Sequence, residues 1–283
     1  MEKIIISSDS TCDLSEELKQ QNDIRIIPLS VHLGDESYKD NGTDITPGQI
    51  IEFVERTGTL PKTSAPNTED YTEYFTKFLE EADCVLHFDI SSKASASYEN
   101  ACRAAKQFEG RVYVVDSEAL STGQGLLIMK ACDLRAAGKS AHAIYDHVNL
   151  LRPKVNTSFI PDTLLYLYKG GRCSMLSYYG AKVLSIHPMI DMKEGQLYPK
   201  RKYMGNMQRC LKRYVADLSQ TYTAYDSTRC FVTHSNADPE LVQKVIDMVK
   251  ETFAFREIIE TQAGSIVTCH CGKGTIGVLF ISE

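Results

Sequence analysis

CVLHFDISSKASASY, residues 84–98, decides how the chain folds. Its first part, Cys84–Phe88, is a nearly continuous apolar run, the pattern of a strand covered on both faces. Hydroxyls follow, and then the spacing changes. Tyr98, Ala101, Cys102, Ala105 and Phe108 fall on one helical stripe. The same succession surrounds this stretch. Ile4–Ile6, Ile24–Val31 and Val112–Val115 read as strands, and Leu126–Ala137 reads as a helix that Gly138 can stop. Such strand–helix alternation predicts a doubly wound, mostly parallel sheet.

Further along, the pattern is less regular. Val155–Ile160, Val183–Ile190, Arg229–Thr233, Arg256–Glu260 and Thr275–Ile281 are strand candidates, with helices over Asn206–Thr221 and Pro239–Thr252. A chain of 283 residues is too long for one ordinary core. Two prolines interrupt the pattern between Arg152 and Pro161. The expected architecture is α/β in two domains. Residues 1–160 hold the parallel sheet, with a glycine-rich hairpin or loop inserted near 34–48; residues 161–283 form a second α/β domain with a mixed sheet.

Apolar residues make up 43% and charged residues 24%, which excludes a disordered chain. No apolar run approaches the roughly eighteen residues of a membrane span. The opening MEKIIISSDS lacks the apolar core and cleavage site of a signal peptide. None of the nine cysteines is spaced CxxC, so reduced thiols are expected rather than disulfides or a zinc ribbon. A cytoplasmic protein without metal or cofactor follows as the expectation. The net charge of −6 argues against nucleic acid as the main partner. The charge is unevenly spread: Arg152 to Arg213 holds twelve Lys or Arg against three Asp or Glu. That segment is either a solvated basic face or one that receives a phosphate-bearing or acidic partner.

One kind of turn recurs where strands hand over to helices. SSDSTCD follows Ile6, SSKASAS follows Ile90, DSEALSTGQG follows Val115 and HSNADPE follows Thr233. Such side chains cap the first free amides of a helix. At the carboxyl edge of a parallel sheet, the same hydroxyls, amides and helix N-termini also make a site for a carboxylate or phosphate. The residues around 91–97 are the first place to seek it. Thr63-Ser64-Ala65-Pro66 adds a hydroxyl pair ahead of the helical stretch Glu69–Glu81.

Other motifs fail on context. Residues 272–277, GKGTIG, match GxGxxG, but no room follows for the helix and acidic residue that dinucleotide binding needs. Neither GxxxxGK[ST] nor GxSxG occurs, so a P-loop and a hydrolase elbow are absent. Cys269-His270-Cys271, taken as a strand, would turn both thiols one way and His270 the other. That suits buried structural thiols rather than a metal. His270 enters a glycine-rich turn, either as a neutral core histidine or where a ligand approaches. Lys169-Gly170-Gly171-Arg172 follows the apolar helix Leu164–Tyr168. Arg172 is a surface cation or, by its bidentate fork, a phosphate clamp.

Taken in order, SDSTCDL (8–14), TSAP (63–66), ISSKASASY (90–98), VDS (115–117), KGGRCS (169–174) and HCGKGTIGV (270–278) give a chain that resembles the DegV family of bacterial fatty-acid-binding proteins. Six ordered motifs are far more specific than any one of them. The resemblance implies two α/β domains with a lipid bound between them. It also implies a carrier rather than an enzyme. Such a carrier presents a long-chain fatty acid to a separate ATP-dependent fatty acid kinase, whose acyl phosphate feeds phospholipid synthesis. By position, the carboxylate-binding hydroxyls fall on Thr63, beside Ser64, and on Ser95, beside Ala96. The histidine and arginine near the reacting end fall on His270 and Arg172. Ala94, Ala96 and Ser97 replace Leu, Gly and Thr of the family's SSxLSGTY, and Cys271 and Lys273 replace Thr and Pro of HTGPG. Lys273 adds a cation beside His270. The residues by themselves leave two alternatives: a hydrolase or transferase using Ser95 or Ser10 with His270 and Asp9, and a binding module for a small phosphorylated metabolite.

Overall fold

The computed structural model describes residues 2–173 and 186–283. Its first sheet is wholly parallel, in the order β2–β1–β6–β7, from β1 (Ile4–Asp9), β2 (Ile24–Ile27), β6 (Cys84–Asp89) and β7 (Val112–Asp116). Every residue of β1 and β6 is buried, because helices cover both faces. Strand side chains alternate between faces. Ile5, Val85 and Val114 therefore pack under Tyr71, Phe75, Ala101 and Ala104 of α3 (Thr68–Glu81) and α4 (Ser97–Ala105). Ile4, Ile6 and Phe88 pack under α5 (Thr122–Ala136) and α6 (Ala141–Leu151).

The second sheet is mixed, in the order β10–β9–β8–β13–β11–β12. Its strands are β8 (Val155–Ile160), β9 (Ile186–Lys193), β10 (Gln196–Met204), β11 (Tyr225–Ser235), β12 (Glu257–Gln262) and β13 (Thr275–Ser282). Among the described residues, only β11 and β12, joined through α9 (Pro239–Thr252), pair in parallel in this sheet. Helices α8 (Met207–Thr221) and α9 cover one face with Leu211, Tyr214, Val245 and Val249. Strand β8, which ends at Ile160, pairs with β13, so the second sheet opens at Val155. Of the predicted strand Val183–Ile190, residues 183–185 lie outside the described residues.

Helix α5 lies between the two sheets. Its core cluster takes in Ile6 and Phe88 of the first sheet and Phe231 and Leu279 of the second. A helix buried all round shows no amphipathic stripe, and this one begins at Thr122, ahead of the predicted Leu126. Glycines at 123 and 125 allow its close approach: a Cβ on Gly123 would run into the Thr157 side chain, and one on Gly125 into Leu14.

The predicted strand Ile24–Val31 divides. Pro28, which lacks an amide donor, separates β2 from β3 (Ser30–Leu33), and β3 joins a third, antiparallel sheet with β4 (Glu36–Lys39) and β5 (Lys62–Ser64). The polar stretch 34–48 forms the turn of the β3–β4 hairpin, the strand β4 and a loop into α2 (Pro47–Thr57). Cys269-His270-Cys271 is likewise not a strand: it ends α10 (Ser265–Cys271), a short helix between β12 and β13. At about 100° per residue the two cysteines diverge. Cys269 packs with Leu29, Val31 and Ile50, and Cys271 with Ile90, Leu120 and Phe159. Both thiols are buried. Among the described residues, no helix is long and apolar enough to cross a membrane.

Candidate functional site

A cavity of about 230 Å³ opens where the carboxyl end of β6, the β5–α3 loop, α10 and the end of α7 (Leu165–Lys169) converge. Thr63, Ser64, Ser95, Ala96, Arg172 and His270 all line it. Apolar side chains, among them Leu29, Ile90, Leu120, Leu167, Leu197 and Val267, form most of the remaining wall.

Pairing with Val31 of β3 fixes Thr63 on β5. The loop beyond it is tied to α4, since Asn100 Nδ2 donates to Pro66 O at 2.8 Å. Ser95 lies in the turn between β6 and α4, where Ser91 Oγ donates to Gly195 O at 2.7 Å and so ties the turn to the second sheet. Capping accounts for some of the hydroxyl turns: Asp9 caps the 3-10 turn Ser10–Cys12 and Asp238 caps α9, but α4 and α5 have no side-chain cap among the described residues. Three of the four turns lie at the carboxyl edge of the parallel sheet; the fourth follows β11 in the mixed sheet. Ser95 Oγ accepts from Ser97 N at 3.2 Å and shares a hydrogen bond with Ser97 Oγ at 2.9 Å.

His270 is aimed by the anchoring of α10. Gly264 N donates to Asp13 Oδ1 at 2.8 Å, Ser265 N to Asp40 Oδ1 at 3.2 Å, and Ser265 Oγ to Ile45 O at 3.1 Å. Asp13 also accepts from the Ser121 hydroxyl. Burial, helped by neighbouring carboxylates, pushes the Asp13 carboxyl up to about 7 despite these bonds. At the other end of α10, His270 Nε2 shares a hydrogen bond with Thr63 Oγ1 at 2.8 Å. Its Nδ1 is buried and has no hydrogen-bond partner among the described residues. Burial first, and then the Arg172 guanidinium, push His270 down to about 4, so the ring is neutral at neutral pH. Arg172 is exposed at the rim, and its Nη1 donates to Gly170 O at 2.6 Å. Gly170 is required by proximity, since a Cβ there would sit 2.7 Å from Tyr166 O and 3.0 Å from His270 Nδ1. Lys273 pairs with Glu55 at 3.3 Å and does not line the cavity.

The relay of Ser95 or Ser10 with His270 and Asp9 is not assembled among the described residues. Asp9 is buried among Thr11, Gln124 and the Ile90 amide, Ser10 Oγ accepts from Leu29 N, and His270 pairs with Thr63. Ser174 of KGGRCS lies outside the described residues.

A family model described as uncharacterised protein, DegV family, matches residues 3–283. The chain belongs to the DegV family. A DegV domain-containing protein of Clostridium acetobutylicum is 32% identical over 287 residues, which span 100% of each chain. A fatty-acid-binding DegV family protein from Thermus thermophilus shares 29% identity at a TM-score of 0.91, covering 99% of this chain and 100% of its own. A stearic-acid-binding protein from Eubacterium ventriosum shares 26% identity at a TM-score of 0.85, covering 100% of this chain and 98% of its own. The two-unit α/β arrangement is thus that of DegV proteins. In this DegV chain the polar wall was readable from motif positions. The apolar wall was not, because Leu29, Ile90, Leu120, Leu167, Leu197 and Val267 come from six separate segments and share no spacing.

Proposed function

We propose that this chain binds a long-chain fatty acid in the cavity and presents its carboxylate to a separate ATP-dependent kinase. The observation that carries this is one apolar-walled cavity on which Thr63, Ser95, His270 and Arg172 converge. An acyl tail of about fourteen methylenes gains roughly 11 kcal/mol gross on leaving water, at ~0.8 kcal/mol each. Its carboxylate must be hydrogen-bonded once water is excluded. The hydroxyls of Thr63 and Ser95 and a neutral His270 can do this without a full positive charge, so the carboxylate keeps its nucleophilic character. Arg172, exposed at the rim, would meet the charge of an incoming phosphoryl group. Binding by relatives of the same fold supports the same ligand class for this chain. In this role the protein is a cytoplasmic carrier of two α/β units, divided near residue 160. Part of the basic segment is internally paired, Lys200 with Asp191 and Arg201 with Asp217; exposed cations such as Arg172 remain for kinase docking.

Native mass spectrometry of freshly purified protein tests the ligand. The expected result is an added mass of a long-chain fatty acid. A bare chain that takes up none on titration overturns it. With a kinase and ATP supplied, Arg172→Ala should keep the lipid but lose acyl-phosphate formation by about a hundredfold or more. Turnover equal to the parent's would remove Arg172 from that role.

A further inference from the structure

Ser95 is the cavity end of a line of polar side chains that runs into the core of the first sheet. Its Oγ accepts from Ser97 N at 3.2 Å and shares a hydrogen bond with Ser97 Oγ at 2.9 Å. The Ser97 hydroxyl in turn reaches the phenol of Tyr71 on α3. Tyr71 Oη donates to Asp89 Oδ1 at 2.7 Å, and the same oxygen shares a hydrogen bond with His87 Nε2 at 3.2 Å. Tyr71, His87, Asp89 and Ser97 are all fully buried. The Tyr71 and Phe75 rings lie edge-on to His87 at 5.4 and 5.3 Å, on the face of the sheet that α3 and α4 cover. A carboxylate in such a place is costly unless it is hydrogen-bonded. Asp89 is only partly so: its Oδ2 has no hydrogen-bond partner among the described residues, and the buried Asp9 carboxylate lies near enough to repel it. Apolar side chains of similar volume would pack this face at lower cost, so packing alone does not account for Asp89. What it does is hold Tyr71. With its one proton on Asp89, the phenol oxygen is left to accept from Ser97.

We propose that Asp89 and Tyr71 are positioning residues for Ser95: Asp89 fixes the phenol, the phenol fixes Ser97, and Ser97 holds the Ser95 hydroxyl ready for the head group in the cavity. The proposal rests on the fatty-acid reading above and adds to it two residues that act only through others, since neither Tyr71 nor Asp89 lines the cavity. The physical gain is preorganisation, because a hydroxyl already held in place loses less freedom on binding.

The measurement is Kd for stearate, by calorimetric titration of the full chain, in double-mutant cycles with Ser95→Ala. Tyr71→Phe removes one oxygen and keeps the ring in the core. Ser97→Ala breaks the line one step nearer the cavity, and carries the test should Tyr71→Phe fail to fold. Each should weaken stearate binding by about fivefold, the worth of one neutral hydrogen bond. In the Ser95→Ala background neither should weaken it further, because the group they position is gone. Asp89→Asn, whose amide oxygen still accepts from the phenol, should lose less affinity than Asp89→Ala. A general packing defect weakens binding equally with and without the Ser95 hydroxyl. Losses undiminished in the Ser95→Ala background therefore overturn the proposal, as does parental affinity in both Tyr71→Phe and Ser97→Ala. Absence of stearate uptake by the parent would instead overturn the fatty-acid reading itself.

Discussion

Thr63 Oγ1 and His270 Nε2, 2.8 Å apart, join two residues that are 207 positions apart in the chain. With His270 neutral, the pair offers hydrogen bonds rather than charge, and Ser95 adds another hydroxyl on the same cavity. Replacing Thr63 or Ser95 by Ala should each cost about 1–3 kcal/mol of fatty-acid affinity, because a buried carboxylate loses one partner. The double variant should lose more than either single one. Calorimetric titration measures this, and an unchanged affinity in the double variant would take both hydroxyls out of the head-group site. These positions were legible because each sits in a short motif beside a strand end. Their pairing was not, since nothing in the local sequence of TSAP specifies a partner at His270.

Among the elements, α10 departs most from local expectation. Ile266, Val267 and Thr268 are β-branched and favour strand, yet the segment is helical. Tertiary anchors outweigh propensity here: Asp13 and Asp40 take its first amides, and Gly272 ends it at φ 75°. A Cβ on Gly272 would lie 2.5 Å from the Tyr166 ring of α7. Gly272→Ala combines a disfavoured backbone with overpacking, which together cost more than about 1 kcal/mol. The melting temperature should fall by about 2 °C or more, and fatty-acid binding should weaken because α7 carries Leu167 of the cavity wall. A melting temperature equal to the parent's would show that Tyr166 moves aside without cost. Helix α5 makes the complementary point. Its burial between two sheets removes the amphipathic stripe by which a helix start is recognised.

At the scale of the whole molecule, buried carboxylates lie where the first sheet meets the segments of the second unit. Burial, then the nearby Asp89, raise Asp9 to about 6, and burial raises Asp13 to about 7. A raised carboxyl keeps its proton in the folded chain where the unfolded chain has released it. Stability from Asp13 is therefore lost as pH rises from about 4 through 7. His270, lowered to about 4, acts oppositely, since the unfolded chain takes up its proton first as pH falls below about 6.5. Asp13→Asn isolates the first effect, as an amide can still accept from Gly264 N and donate to Ser121. The stability of the parent relative to Asp13→Asn should fall by a few kcal/mol between pH 4 and 8, measured by urea unfolding. A difference independent of pH would return Asp13 to an ordinary carboxyl.

The sequence by itself determined the strand–helix alternation of the parallel sheet, the mixed character of the second, the family, and the polar residues Thr63, Ser95, Arg172 and His270. Each of these is written in short-range periodicity or in ordered motifs, where neighbouring residues carry the information. Only the tertiary structure decided that Ile24–Val31 divides between two sheets, that SIVTCHC is a helix, and that Leu120, Val267 and Cys271 meet on one cavity wall. Those outcomes depend on contacts such as Asp13 with Gly264, 251 residues apart. Packing and hydrogen bonding at that range are settled by the whole chain, so no local window of sequence contains them.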